Sequence, residues 1–146
     1  LSQSVAKSFT STLIGIFAGR GLIDIAQPVT HYLPELKDCG YAGATIAQVL
    51  DMRSGVKFDE DYLAPDSEVA QLDRASGWKP RRGAGDTLTT KGQILTLKQE
   101  RPHGGPMDYR SIETEVLGWI LSRVSGLSLA AMRRSIPRMY ASAAAR

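Results

Sequence analysis

The strongest pattern along the chain is the spacing of apolar residues in two stretches, one near each end. In the first stretch they recur at i, i+4, i+7 and i+8, which predicts one face of a helix over residues 4–20. The second stretch predicts a helix over residues 116–124, with Glu113 and Glu115 near its N-terminus and Gly126 at its end. The residues that carry the two patterns are Phe9, Leu13, Ile16 and Phe17, and then Val116, Leu117, Ile120, Leu121 and Val124.

Shorter elements are predicted between these two helices. Residues 29–33 predict a short helix or turn, Thr45 is suited to cap a helix over residues 46–52, and residues 93–98 predict another short helix. Between Lys57 and Gly85, frequent Gly, Pro and Asp residues predict a long loop with one helical turn at residues 67–72. No segment alternates apolar and polar residues long enough to predict a strand, so we expect a mainly α fold.

Composition and charge narrow the class of protein. With 146 residues, 42% of them hydrophobic and 23% charged, the chain predicts one globular domain. The net charge of +3 becomes −1 when the C-terminal arginines Arg133, Arg134, Arg138 and Arg146 are left out. We therefore separate a domain over residues 1–130 from a divergent, basic Arg/Ala-rich tail over residues 131–146. A near-neutral body offers no basic stripe for phosphates, which excludes nucleic acid as a partner.

Other function classes find no support in the sequence. No apolar stretch reaches membrane-spanning length, and the N-terminus lacks the order of a signal peptide, so we predict a cytoplasmic protein with no membrane partner. Cys39 is the only cysteine and is interpreted as a packing residue. Two histidines are too few for an evident metal site, and no metal or other cofactor is predicted. His31 is interpreted as a surface residue, and Trp78 and Trp119 as packing residues.

The candidate chemistry begins with Ser4 and Lys7, which are three positions apart at the start of the first predicted helix. That spacing puts both side chains on one helix face, within reach of each other. A serine hydroxyl is a poor nucleophile until a neighbour takes its proton, and a lysine can do so when it is desolvated or lies near other cations. The helix N-terminus adds N–H groups that stabilise a developing oxyanion. The alternative interpretation is a capping serine beside a solvated lysine, which is commoner for an isolated pair.

Further segments follow this pair in a characteristic order, and Tyr109-Arg110-Ser111 directly precedes the last predicted helix. The chain resembles the serine β-lactamase and penicillin-binding-protein family from about residue 4 to about residue 129, and within it the subgroup of nylon-oligomer (6-aminohexanoate-dimer) hydrolases. The resemblance implies the helical portion of that family's α+β fold, with most of the antiparallel sheet missing. The similar segments are residues 4–9, 21–24, 45–55, 61–62, 109–111 and 116–119.

The resemblance also implies a catalytic role for three residues. Ser4 would be the acylated nucleophile, and Lys7 its general base or proton relay. Tyr109 would be a second relay that shuttles protons between Ser4 and the leaving group. His103-Gly104-Gly105 matches the pattern of the family's third motif, but it precedes Tyr109 instead of following it, so we interpret it as a turn.

Three more residues are implied in substrate binding. Tyr62 would hydrogen-bond the leaving amine of a linear amide, and Asp73 would meet a substrate ammonium. Ser111 stands where the family's Tyr-x-Asn motif has Asn, which fits the esterase and amidase branches better than a β-lactam enzyme. The implied substrate is thus a small-molecule amide or ester, with a β-lactamase, a DD-peptidase or a non-catalytic remnant as alternatives. The oligomeric state is left open.

The segments that the family places beyond Trp119 are not found in this sequence. One of them is a strand that supplies a backbone N–H to the oxyanion hole, and losing one such donor costs on the order of a hundredfold in rate. We therefore expect a fragment that is catalytically poor by itself. We also expect the Arg/Ala-rich end to come from a shifted reading frame or a truncated gene.

Overall fold

The computed structural model describes residues 4–87, 89–132 and 134. Across these residues the chain is helical, and its β pairing consists of two isolated antiparallel bridges, Pro28 with Thr45 and Val56 with Gln99. The predicted mainly α fold is therefore confirmed. The elements are α1 (Val5–Gly19), α2 (Val29–Tyr32), a 3-10 helix (Pro34–Asp38), α3 (Ile46–Leu50), α4 (Glu68–Ala75), α5 (Thr90–Thr96) and α6 (Ser111–Ser125).

Helix α6 is the centre of the fold and contacts each of the other five α-helices. Its apolar residues occur on several faces, so a single neighbour could not shield them from water. The helix begins at Ser111, earlier than the predicted residue 116, and ends at Ser125. It is capped by Gly126, whose φ of 70° suits glycine. Its buried apolar side chains are Ile112, Val116, Leu117, Trp119, Ile120 and Leu121.

Helix α1 packs along α6 and confirms the first predicted helix. Leu13 and Phe17 are buried in the core, and Phe9 and Ile16 pack against it partly buried. The predicted apolar face is therefore the face that meets α6. This packing fixes the N-terminus of α1, and with it Ser4, relative to the start of α6.

A capping box fixes the start of α3. The Thr45 hydroxyl accepts a hydrogen bond from the Gln48 backbone N–H at 3.2 Å, and the Gln48 side-chain oxygen accepts one from the Thr45 N–H at 2.9 Å. The predicted cap is confirmed, although the helix ends at Leu50, before the predicted residue 52. Met52 follows with a left-handed φ of 55°, and its carbonyl accepts a hydrogen bond from the Asp108 N–H at 2.8 Å.

The predicted loop over residues 57–85 contains a helix longer than the single turn expected there. Helix α4 starts after Ser67, whose hydroxyl accepts a hydrogen bond from the Ala70 N–H at 3.2 Å. Its buried face includes Arg74, which donates hydrogen bonds to Asp86 at 2.9 Å and to the Pro65 carbonyl at 3.1 Å. A buried arginine breaks the apolar periodicity, which is why the pattern underestimated this helix. Helix α5 also begins earlier than predicted, after the cap residue Thr89.

Most single-residue interpretations agree with the structure. Cys39 and Trp119 are buried, and His31 is exposed. Trp78 is different: it is 56% exposed, so its interpretation as a packing residue is wrong. His103 lies in a turn, as expected, and its ring nitrogens face the carbonyl oxygens of Ser54 and Ala42.

The predicted tail is described only at its start, where Met132 is buried. Residues 133 and 135–146 lie outside the described residues, so the division at residue 131 stays a prediction. Within the described ranges, none of the helices has the length and apolar character needed to cross a membrane. The cytoplasmic location likewise stays a prediction.

Candidate active site

The structure brings Ser4, Lys7 and Tyr109 together, although Tyr109 is 105 positions from Ser4 in the sequence. The Ser4 Oγ lies 2.7 Å from the Tyr109 hydroxyl oxygen. The Lys7 Nζ donates a hydrogen bond to the same Ser4 Oγ at 3.3 Å. It also lies 5.4 Å from the centre of the Tyr109 ring. One serine hydroxyl thus faces both a phenol and an amine.

Ser4 occupies the cap position of α1, but its side chain makes no capping hydrogen bond. Its hydroxyl is therefore directed at Tyr109 and Lys7 and not at the backbone of its own helix. This is the geometry expected of the reactive interpretation of the Ser4–Lys7 pair, and it is not the geometry of a capping serine. Ser4 is also exposed, so a substrate can reach it.

Tyr109 is held in place through its neighbours in the sequence. The Arg110 guanidinium donates two hydrogen bonds to the Asp108 carboxylate, at 2.7 and 2.6 Å, and Arg101 forms an ion pair with the same carboxylate. Arg53 donates hydrogen bonds to the backbone carbonyls of Gly104 and Gly105, which ties the preceding turn to the end of α3. A loop fixed at both ends can present Tyr109 at a constant distance from Ser4.

The electrostatic surroundings of Tyr109 favour the loss of its proton. Burial acts to raise the pKa of Tyr109, but hydrogen bonds with Ser4 and Lys7 and the charge of Lys7 outweigh it. The pKa of Tyr109 is therefore lower than that of an ordinary tyrosine. A tyrosine that loses its proton more readily than usual can form a phenolate, and a phenolate at hydrogen-bond distance from a serine is a suitable acceptor for the serine proton.

Ser111 and Tyr62 meet next to the group formed by Ser4, Lys7 and Tyr109, and both contact Glu60. The Tyr62 hydroxyl donates a hydrogen bond to Glu60 Oε1 at 2.6 Å, and the Ser111 hydroxyl donates to the same oxygen. The Ser111 backbone N–H donates to Glu60 Oε2 at 3.0 Å. The Tyr62 and Ser111 oxygens are 3.3 Å apart. The loop before α4 is thereby joined to the first residue of α6.

A cavity of about 320 Å³ opens in front of Ser4 and Lys7. Tyr62 and Ser111 lie in its wall, as does Asp73, so the three predicted binding residues share one cavity with the predicted catalytic residues Ser4 and Lys7. Asp73 already has a partner, since it forms an ion pair with Lys79 at 2.7 Å. A substrate ammonium would have to replace Lys79 at this carboxylate.

Sequence reasoning missed three residues at this site: Glu60, Trp78 and Glu115. Trp78, Val69 and Leu72 give the cavity an apolar wall, and Glu115 lies beside them at its edge. Surrounding protein raises the pKa of Glu115, and the charge of Lys7 opposes this rise. Glu60 is two positions from Tyr62 in the sequence, which could have indicated that the two side chains lie near each other. Nothing in the sequence connects either residue with Ser111.

A second carboxyl group, Glu113, lies on the core side of α6 and is only 1% exposed. One of its oxygens accepts a hydrogen bond from the Ser54 hydroxyl, and the other has no hydrogen-bond partner among the described residues. Burial raises the pKa of Glu113 to about 8, against the smaller lowering effects of Ser54 and Arg110. At neutral pH this group is mostly protonated and uncharged.

The site offers no set of metal ligands. Within the described part of the chain, no group of three or more His, Cys, Asp or Glu side chains is arranged to hold an ion. The reactive groups that the structure does assemble are a serine, an amine, a phenol and their hydrogen-bond partners. They are suited to proton transfer and attack on a carbonyl carbon.

Comparison with known proteins agrees with the fold. The sequence profile of the β-lactamase family matches residues 2–136, so the chain belongs to the β-lactamase family. It is 44% identical over 127 residues to the 6-aminohexanoate-dimer hydrolase of Paenarthrobacter ureafaciens, and it is 32% identical over 82 residues to a β-lactamase of Providencia stuartii. These matches cover 87% and 47% of the chain, respectively.

Solved structures show the same relationship. The chain superposes with a TM-score of 0.77 and 31% identity, over 87% of its length, on a Bacillus anthracis protein assigned as a 6-aminohexanoate-dimer hydrolase. A family VIII carboxylesterase matches over 84% of the chain with a TM-score of 0.59 and 23% identity, which shows a shared fold alone. The described helices are therefore the helical portion of the β-lactamase fold.

The chain corresponds to part of these proteins. It spans 32% of the Paenarthrobacter hydrolase, 21% of the Providencia β-lactamase and 34% of the Bacillus structure. The part that it covers includes Ser4, Lys7 and Tyr109, which its sequence predicts to be catalytic.

Proposed function

We propose that this chain carries the nucleophile of a serine hydrolase that cleaves linear amides or esters through an acyl-enzyme on Ser4. The observation that supports it best is the pair of short contacts at the Ser4 Oγ, 2.7 Å to Tyr109 and 3.3 Å to Lys7. The distance to Tyr109 falls within the range over which a proton can pass directly, and the distance to Lys7 lies just beyond it. The similarity to a 6-aminohexanoate-dimer hydrolase supports the same reaction.

In the proposed first step, Tyr109 is in its deprotonated, phenolate form. The Ser4 oxygen attacks the carbonyl carbon, and the Ser4 proton moves to the Tyr109 phenolate oxygen. The Lys7 Nζ donates toward Ser4, so we assign the direct base role to Tyr109 and the relay role to Lys7. The tetrahedral intermediate then expels the amine or alcohol, which takes the proton from Tyr109. Water attacks the acyl-Ser4 ester in the reverse sense, releases the acid and returns the proton to Ser4.

The cavity suits a linear chain better than a compact bicyclic one. Trp78 and Leu72 provide apolar contact for an alkyl segment, and Asp73 provides a negative charge at one end. A substrate with an aliphatic chain and a terminal ammonium matches this arrangement, with its ammonium replacing Lys79. Tyr62 lies next to Ser111 on the side of the cavity where we place the leaving amine.

Labelling with a fluorophosphonate tests this proposal directly. We expect one phosphonate per chain, found on Ser4 by peptide mass spectrometry, and no labelling of a Ser4→Ala variant. Ser8 is a matched control, because it lies one turn later on α1 and donates no hydrogen bond to Tyr109 or Lys7; Ser8→Ala should label like the parent chain. Labelling that persists in Ser4→Ala would overturn the assignment of the nucleophile.

Turnover should be slow even where labelling succeeds. Among the described residues no strand is formed that could donate a backbone N–H to the oxyanion, and the absence of one such donor costs on the order of a hundredfold in rate. We therefore expect a p-nitrophenyl ester to release one equivalent of p-nitrophenol rapidly and further equivalents slowly. Fast continuous turnover would show that the described residues already form a complete oxyanion hole.

A β-lactamase activity is the second candidate, because 82 residues of the chain are 32% identical to the Providencia β-lactamase. Ser111 in place of the Asn of the family's Tyr-x-Asn motif argues for the linear substrate. Hydrolysis of nitrocefin, measured beside that of the 6-aminohexanoate dimer, decides between them. Nitrocefin cleavage without amide cleavage would reverse our order.

A further inference from the structure

Glu60 is the point at which the two predicted binding hydroxyls meet. Its Oε1 receives hydrogen bonds from the Tyr62 hydroxyl at 2.6 Å and from the Ser111 hydroxyl, and its Oε2 receives the Ser111 backbone N–H at 3.0 Å. Tyr62 and Ser111 lie in the wall of the cavity, whereas Glu60 lies behind them. Glu60 therefore reaches the cavity only through these two residues.

The chemistry of these bonds fixes the direction of both hydroxyl groups. A carboxylate can accept hydrogen bonds but has no proton to donate, and each hydroxyl group carries a single proton. When Tyr62 and Ser111 both donate to Glu60, their oxygen lone pairs are left toward the cavity. The raised pKa of Tyr62, caused by burial and by its bond to Glu60, agrees with a phenol that keeps its proton.

A cavity wall that presents acceptors discriminates between amides and esters. The leaving side of an amide carries an N–H that can donate to these oxygens. The leaving side of an ester carries an oxygen, which has no proton and faces them with its own lone pairs. A site built to bind an N–H disfavours a ligand that lacks it, because its polar groups are then left unpaired.

We propose that Glu60 is a positioning residue that sets Tyr62 and Ser111 as acceptors for the N–H of a linear amide and so gives this site its preference for amides over esters. The proposal deepens the proposed function and rests on its placement of the substrate. It assigns to Glu60 no contact with the substrate and no part in the bond-breaking step.

Glu60→Gln tests the proposal with little change of shape. The glutamine has nearly the same size, but its NH₂ group can donate to Tyr62 and Ser111, whose own protons are then free to turn toward the cavity. Binding is measured in the intact chain carrying Ser4→Ala, so that no ligand is consumed. The ligands are a linear amide with a terminal ammonium and the ester of identical chain length. The signal is the ligand-dependent change in tryptophan fluorescence, which reports on Trp78 because Trp78 lines the cavity and Trp119 does not.

We expect the Ser4→Ala chain to bind the amide at least about tenfold more tightly than the ester, as a site with paired acceptors should. Adding Glu60→Gln should remove this preference by weakening the amide and leaving the ester unchanged or bound more tightly. Asp61→Asn is the matched control, since it removes one negative charge from the same loop and should keep the preference. Its carboxylate accepts from the Leu63 N–H and makes no bond to Tyr62 or Ser111.

Two results would overturn the proposal. The first is a Ser4→Ala chain that binds amide and ester equally, or binds neither. The second is a Glu60→Gln variant that weakens both ligands by the same factor, as a purely structural role for Glu60 would predict. Neither result bears on the nucleophile, because fluorophosphonate labelling of the parent chain tests Ser4 independently of ligand preference.

Discussion

Two serine–carboxyl pairs lie at the start of α6, one on each side of the helix. Ser111 and Glu113 are two positions apart in the sequence, so their side chains leave the helix in nearly opposite directions. Toward the cavity, the Ser111 hydroxyl bonds to Glu60. Toward the core, Glu113 accepts a hydrogen bond from the Ser54 hydroxyl. The same two functional groups are thus paired in two different surroundings.

The difference between the pairs is access to water. Glu113 is 1% exposed and its pKa is raised to about 8, so it is a neutral packing group at pH 7. Ser111 lines an open cavity beside Tyr62, which is 58% exposed. The cavity pair can therefore act on a ligand, whereas the core pair can only affect stability. A carboxyl group near a serine does not by itself indicate a functional site.

The largest expected effect lies on the cavity side and comes from Tyr109→Phe. Removal of the hydroxyl takes away the proposed acceptor of the Ser4 proton, and general-base groups contribute on the order of a hundred- to ten-thousandfold. We expect the rate of fluorophosphonate labelling to fall by at least about a hundredfold. The free energy of unfolding in urea should change by less than about 1 kcal/mol, because Tyr109 is 39% exposed. If the Tyr109→Phe chain were so destabilised that loss of folded protein explained the lower labelling rate, the result would contradict a catalytic role for the hydroxyl.

The second-largest expected effect concerns Glu113 on the core side of α6. It is a dependence of the free energy of unfolding on pH. The carboxyl of Glu113 has a pKa of 4.5 as a free group and about 8 in the folded chain, so the folded state holds this proton more tightly. Its contribution to stability is complete below pH 4.5 and is lost as the pH rises toward and through 8, by roughly 3–5 kcal/mol. Urea unfolding between pH 4.5 and 9 measures the loss. Glu113→Gln should flatten the pH dependence, and an equal slope in both proteins would contradict it.

Replacement of Ser54 and of Ser111 by alanine should give opposite results for stability and ligand preference. Ser54→Ala removes the partner of a buried carboxyl and should lower the free energy of unfolding by about 1–3 kcal/mol, with little change in Ser4 labelling. Ser111→Ala should cost less than about 1 kcal/mol of stability, because Ser111 is only partly buried. It should instead reduce the preference for amides over esters. If both variants changed stability alone, the cavity pair would have no role in binding.

The smallest predicted effect is a shift of a pH profile. The charge and hydrogen bond of Lys7 help to lower the pKa of Tyr109, so Lys7→Met should move that pKa upward. Labelling of Ser4 through a tyrosinate base rises with pH until Tyr109 is deprotonated. The midpoint of that rise should therefore lie at higher pH in Lys7→Met than in the parent chain. An unchanged midpoint would indicate that another group accepts the proton.

Parts of the site could be predicted from the sequence because they are local. Ser4 and Lys7 share a helix face whenever residues 4–20 form a helix, and the apolar pattern was strong enough to predict that helix. The Thr45 cap was predictable for the same reason, since both of its hydrogen bonds lie within four residues. The longer helix α4 was not predictable, because a buried Arg74 paired with Asp86 looks like a surface residue in the sequence.

The sequence by itself determined the helices other than the full length of α4, the mainly α class and the local pair of Ser4 and Lys7. It suggested Tyr109 through a family resemblance. The tertiary structure alone decided that Tyr109 lies 2.7 Å from Ser4, that Glu60 joins Tyr62 to Ser111, and that Trp78 faces the cavity. It also decided that Glu113 is buried and that Ser111 lines the cavity. The reason is physical: periodicity reports contacts within a few residues, whereas distances across the fold and the loss of water around a charge depend on how α1, the loop before α4 and α6 pack together.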